Sequence, residues 1–176
     1  GYKVGGFNAY VTSDVLIGAG LSSSAAFETI IGTILSGLYN QMSIPMVEIA
    51  QVGQYAENVF FGKPSGLMDQ TACAVGGLIH IDFQNPEKPV VEKVDVDFEE
   101  YHYSLCIVDT KGSHQDLTQD YAEIPQEMKK ICAYFGKEYL RNIPEDEFYG
   151  QIAALRKEAG DRAVLRAIHF YGDNAR

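Results

Sequence analysis

The run Ile17-Gly18-Ala19-Gly20-Leu21-Ser22-Ser23-Ser24-Ala25-Ala26 constrains this chain more than any other stretch. It lies between a strand-like segment, Phe7 to Val15, and a long apolar segment from Ala25 to about Tyr39. Glycines let a backbone turn its N–H groups inward as an anion-binding nest. A helix beginning at Ala25 would aim its free N–H groups and its positive dipole end at the same place. Three hydroxyls add donors, or an oxygen ligand for Mg²⁺. The chemistry is that of a phosphate cradle. The run is not a Walker A loop, because the Gly-Lys-Ser/Thr ending is absent, and serine at position 23 breaks a Gly-x-Gly-x-x-Gly pattern. An ordinary glycine turn with serine N-caps uses the same residues, so these alone leave both readings open.

Past the loop, Phe27, Ile30, Ile31, Ile34, Leu35 and Leu38 recur at three- and four-residue steps and predict one broad apolar helix face. Gly32 and Gly37 inside that helix each cost up to about 1 kcal/mol relative to alanine, which close packing against a neighbour would offset. A second helix is expected from Pro45 to about Phe60, with Ile49, Val52, Ala56, Val59 and Phe60 buried and Glu57 at the flank. Gly62 and Pro64 break it, and Leu67 to Val75 reads as a short apolar helix. Leu78 to Phe83, Val90 to Asp97 and Tyr103 to Val108 read as strands. From Leu117 onward the pattern is helical, with an interruption or offset near Pro125, a new start at Pro144-Glu145 and a cap at Asp161. The shift from a Gly-, Ser- and apolar-rich half to a charged helical half puts a domain boundary at about residue 100.

Phosphoryl transfer to a hydroxyl needs a phosphate cradle, a metal held by oxygen ligands, and a group that orients or deprotonates the nucleophile. Mg²⁺ favours few carboxylates, with phosphate oxygens and water completing its octahedron. Ser24 and Glu57 suit that role, although an acid at a helix flank equally suits a solvated surface. Asp69 lies in the apolar sequence Leu-Met-Asp-Gln-Thr-Ala, where a carboxylate needs a function or a specific partner. A helix N-cap would satisfy the same placement.

The formal net charge of −10, with no basic cluster against it, argues against nucleic-acid and anionic-membrane partners. Cys73, Cys106 and Cys132 have no metal or disulfide spacing, which suits reduced thiols in a cytosolic protein. No apolar run is long enough to span a bilayer, and His80, His102, His114 and His169 have no zinc-ligand spacing.

Two stretches resemble the GHMP small-molecule kinases, and within them the galactokinases. The serine loop is similar to their second signature motif, and Gly6-Phe7-Asn8-Ala9 with Ser13-Asp14-Val15 flanks it in galactokinase style. Ala56-Glu57-Asn58-x-Phe60-x-Gly62-x-Pro64-x-Gly66-x-Met68-Asp69-Gln70 resembles the segment that carries their magnesium glutamate and catalytic aspartate, with the same twelve-residue separation. The resemblance implies an α+β fold of the GHMP kinase type: residues 1–100 as the latter part of an N-terminal domain like domain 2 of ribosomal protein S5, and 101–176 as the beginning of the C-terminal α+β domain. It implies ATP and Mg²⁺ as cofactors and galactose as substrate, phosphorylated at the anomeric hydroxyl. Gly18, Ala19, Gly20, Leu21, Ser22, Ser23 and Ser24 would wrap the ATP phosphates, Ser24 and Glu57 would hold Mg²⁺, and Asp69 would take or orient the sugar proton. Gly66 would admit the sugar to the backbone. Gln119-Asp120-Tyr121-Ala122-Glu123 is similar to a sugar-contacting segment, making Tyr121 a candidate contact, although Ile124 and Pro125 replace the usual basic residues. The family's sugar-gripping Gly-Arg-x-Asn segment and its C-terminal glycine-rich motif are not found, so the expectation is the central part of a monomeric cytoplasmic enzyme. A galactose- and ATP-binding sensor, or a kinase for N-acetylgalactosamine, is the alternative.

Overall fold

A computed structural model of the chain describes residues 1–15, 17, 20–108 and 118–174. The chain divides into two compact units, Gly1–Gln115 and Asp116–Arg176. Together they carry the helices and the small sheet of an α+β fold.

In the first unit, α1 (Ser23–Asn40), α2 (Met46–Tyr55) and α3 (Met68–Val75) pack on one another. Their existence follows the sequence periodicity, but the buried faces differ from those expected. Along α1 the buried residues are Ala25, Thr29 and Ser36, whereas Phe27, Ile30 and Leu38 are half or more exposed. The helices meet on the small-residue side because backbones approach there. A Cβ on Gly32 would stand 2.7 Å from Ile49 Cγ2, so this glycine's helix cost is offset by a close approach of α1 to α2. The Thr29 hydroxyl donates to the Ala25 carbonyl at 2.8 Å, which lets a polar residue be buried without an orphan group.

Helix α2 continues as a single π-helical turn, Ala56–Phe60. The Phe61 N–H donates to the Ala56 carbonyl and the Lys63 N–H to the Glu57 carbonyl. The wider turn shifts the register of its own residues relative to α2. Ile49, Ala50 and Gly53 of α2 face inward together with Glu57 of the π turn, and the expected face residues Val52, Val59 and Phe60 are exposed.

Strand β1 (Ile79–Asp82) pairs antiparallel with β2 (Val90–Lys93), with Ile79 opposite Lys93 and Asp82 opposite Val90. The second strand is shorter than its alternation predicted. The expected strands over 7–15 and 103–108 do not form; both stretches lack regular structure. A strand needs a neighbour for its N–H and C=O groups, and the one ladder among the described residues is β1 with β2.

The second unit consists of α4 (Thr118–Tyr134), a 3₁₀ turn (Leu140–Asn142), α5 (Glu145–Gly150), α6 (Ile152–Glu158) and α7 (Asp161–Asn174). Its core joins Ile131, Leu140, Phe148, Leu155, Val164 and Tyr171. The Tyr171 hydroxyl donates to the carbonyls of Leu140 and Ile143, and burial pushes its pKa up to about 12. Helix α4 runs through Pro125 without the expected break. Proline withholds one N–H from the ladder, but residues on the C-terminal side of it anchor the helix. Glu127 is buried and accepts hydrogen bonds from both Arg162 and Arg166 of α7.

Burial alone would raise the Glu127 carboxyl, but those two guanidiniums outweigh it and hold the group below its ordinary 4.5. A depressed folded-state value stabilises above the unfolded value and is lost as pH falls through it. Glu127→Gln should therefore lower Tm at pH 7 by more than at pH 3. An equal loss at both values, in thermal unfolding followed by circular dichroism, would assign the side chain to packing alone.

Candidate functional site

The N-terminus of α1 begins where the glycine–serine loop ends. Gly18 and Ala19 lie outside the described residues. Gly20 has φ of 76°, and Ser22 at the N-cap position has φ of 54°, a left-handed conformation that costs a residue with a side chain about 1–3 kcal/mol. The Ser22 hydroxyl makes no capping bond to its own helix. It donates instead to Asp69 Oδ2 at 2.5 Å. A serine-capped turn is thus not what this loop forms. The first turn of α1 carries no acid and no side-chain cap, which leaves its N–H groups and dipole suited to an anion.

Asp69 is not the cap of α3 either. That position belongs to Leu67, and Asp69 is the second residue of the helix. The short helix places successive side chains on different neighbours: Asp69 meets Ser22 of the loop, and Gln70 meets Glu57 of the π turn.

Glu57 is 4% exposed, so the solvated-flank alternative does not hold. Lys63 Nζ donates to its Oε1 at 2.7 Å, and Gln70 Nε2 donates to its Oε2 at 3.0 Å. Burial opposes the charge on Glu57, but hydrogen bonds from Lys63, Ser65 and Ser24, with the Lys63 charge, hold the carboxyl below its ordinary value. Glu57 is anionic at neutral pH, with the Ser24 hydroxyl beside it. Glu28, one turn along α1 from Ser24, is pushed up by burial and by the Glu57 charge, against a hydrogen bond from Gln70 and the Lys63 charge.

The loop between the π turn and α3 is held from below. Ser65 N–H donates to Asn58 Oδ1 at 2.7 Å, and Gln54 Nε2 donates to the Ser65 carbonyl at 3.1 Å. Within that loop, a Cβ on Gly66 would meet nothing within 4 Å. Leu21 and Ser23 are half-buried at the start of α1. Tyr121 lies on α4 in the second unit and is 48% exposed.

The loop serines, Glu57 and Asp69 are therefore brought together at one end of the three-helix cluster. A carboxylate and a hydroxyl form a hard-oxygen pair of the kind Mg²⁺ accepts when phosphate and water supply the rest. Among the described residues no three His, Cys, Asp or Glu side chains converge as a metal cage, and no helix is long and apolar enough to cross a membrane. Sequence reasoning gave no role to Gln70, Glu28 or Lys63. The available signals were the spacing of Glu28 four residues after Ser24 and the amide beside Asp69 in an apolar helix.

Residues 1–77 match the family described as GHMP kinases N terminal domain. The galactokinase of Actinobacillus pleuropneumoniae serotype 5b is 34% identical over 174 residues, 97% of this chain and 43% of that relative. The galactokinase of Streptomyces coelicolor is 30% identical over 168 residues, 96% of this chain and 42% of that relative. The galactokinase of Thermotoga petrophila is 31% identical over 159 residues, 90% of this chain and 45% of that relative. The chain spans less than half the length of these relatives.

Proposed function

From a chain whose residues 1–77 belong to the GHMP kinase N-terminal domain family, we propose that it is the central part of a galactokinase-type sugar 1-kinase. The observation that carries this reading is the Ser22–Asp69 hydrogen bond, which joins the loop suited to phosphates to the carboxylate suited to a hydroxyl. Residues 1–100 are assigned to the latter part of the N-terminal domain and 101–176 to the start of the C-terminal one; the compact units divide later, after Gln115. The enzyme would act in the cytoplasm as a monomer.

The glycine–serine loop, Gly18 to Ser24, and the first turn of α1 would hold the ATP phosphates through backbone N–H groups. Ser24 and Glu57 would hold Mg²⁺. The ion, when bound, neutralises charge on the phosphate oxygens. Asp69 accepts or orients the proton of the sugar C1 hydroxyl while that oxygen forms its bond to the γ-phosphorus and the bond to ADP breaks. Ser22 keeps Asp69 aimed by donating to its Oδ2. Gly66 is the assigned sugar contact of the first unit; Tyr121, in the second unit, is a separate candidate contact carried over from the resemblance. Positioning and charge stabilisation supply most of the rate.

Phosphorylation of galactose by the full-length protein, compared with N-acetylgalactosamine, tests the reading directly. Binding of galactose and ATP without product would leave the sensor alternative; a preference for the acetamido sugar would reassign the substrate. A second expectation concerns the metal. Glu57→Gln keeps the shape but removes the negative ligand, so activity should fall by at least about tenfold and recover in part at high Mg²⁺. Wild-type dependence on Mg²⁺ would make Glu57 a structural acid.

A further inference from the structure

Gln70 is 1% exposed, and its Oε1 is the buried side-chain atom without a hydrogen-bond partner among the described residues. Its amide nitrogen, by contrast, is fully used. Nε2 donates to Glu57 Oε2 at 3.0 Å and to Glu28 Oε2 at 3.2 Å. Turning the amide over would set its carbonyl oxygen against two carboxylates, so the orientation is forced. The fold leaves an acceptor unpaired in order to keep one NH₂ group between two acids on different elements.

The space around this bridge is fitted to it. Gly53 of α2 faces the pair: a Cβ there would stand 3.2 Å from Glu28 Cβ and 3.5 Å from Gln70 Cγ. Glu28 comes from α1, Glu57 from the π turn after α2, and Gln70 from α3. The two oxygens of Glu57 are thereby given different partners. Oε2 is tied down inside by the amide, and Oε1 faces the ammonium of Lys63, whose side chain is 54% exposed.

We infer that Gln70 is a positioning residue for the metal: its amide, braced on Glu28, fixes the Glu57 carboxylate so that Oε1 is the oxygen that exchanges Lys63 for a divalent cation. This rests on the assignment of Glu57 as a metal ligand. Partners that orient a ligating carboxylate are worth about 10- to 100-fold in metal affinity.

The test uses the full-length protein and Mn²⁺ as the probe, with free Mn²⁺ followed by electron paramagnetic resonance in the presence of ADP. Gln70→Met keeps the length and volume of the side chain and removes the amide. It should keep cooperative unfolding and galactose affinity while the Mn²⁺ dissociation constant rises about 10- to 100-fold. Gln70→Asn, which withdraws the amide by one methylene, should lose metal affinity in the same range. Folded variants with wild-type Mn²⁺ affinity would overturn the inference. Loss of folding in both would also overturn it, by showing that the amide serves helix packing itself. Glu57→Gln separates this from the underlying assignment. If that variant binds Mn²⁺ as the wild type does, the metal role of Glu57 fails; if it alone loses the metal, only the role of Gln70 fails.

Discussion

Asp69→Asn in the full-length protein should lower turnover at least about 10²-fold while sugar and ATP affinities stay within about tenfold, or about 1.4 kcal/mol. The substitution is nearly isosteric, and the Ser22 hydroxyl that now donates to Oδ2 retains an acceptor in the amide oxygen. The loss is that of the anion. An amide neither takes a proton from a hydroxyl nor carries charge toward one. Folding should be little affected, because a carboxylate in the first turn of α3 contributes only about 0.3–1 kcal/mol through the helix dipole. Calorimetric binding beside phosphorylation assays distinguishes the outcomes. Near-normal turnover would remove Asp69 from the chemistry. A parallel loss of binding and Tm would make the Ser22–Asp69 contact a structural clasp between loop and helix.

The sequence pattern located α1, α2 and α3 because helix periodicity is local: each turn's apolar residues announce it. Which side of α1 is buried was not local. Phe27, Ile30 and Leu38 form the apolar stripe, yet α2 comes in against Gly32 on the small side, and only a three-dimensional contact such as Gly32 with Ile49 decides that. The same limit applies to the strands expected over 7–15 and 103–108. Alternating residues make a strand possible, and a neighbouring strand makes it form.

The candidate site divides in the same way. Loop, glutamate and aspartate were visible as residue types at a spacing, each with an ordinary structural alternative. The alternatives fell to burial and partner choice: Glu57 is inside, and Ser22 bonds Asp69 instead of capping its helix. The amide bridge of Gln70 had no comparable pattern. It depends on how α1, α2 and α3 pack to bring Glu28, Glu57 and Gln70 together, which no spacing along the chain encodes.

Gly20→Val should weaken ATP binding by about 10- to 100-fold and leave galactose binding nearly unchanged. Gly20 has φ of 76°, where a side chain is strained and a β-branched one most of all. Such strain is worth about 1–3 kcal/mol, and about 1.4 kcal/mol corresponds to tenfold in affinity. Relief requires the loop to turn differently two residues before Ser22, which is itself left-handed and holds Asp69. Under the phosphate assignment, the altered turn would misalign the loop N–H groups for an anion, and a branched side chain would hinder close approach of phosphate to the backbone. Gly20→Ala, strained but unbranched, should fall between wild type and valine. Nucleotide and sugar titrations on the same preparations decide the matter. A folded valine variant with unchanged ATP affinity would end the phosphate assignment, whereas equal losses for ATP and galactose would show that Gly20 shapes the whole site through Ser22 and Asp69.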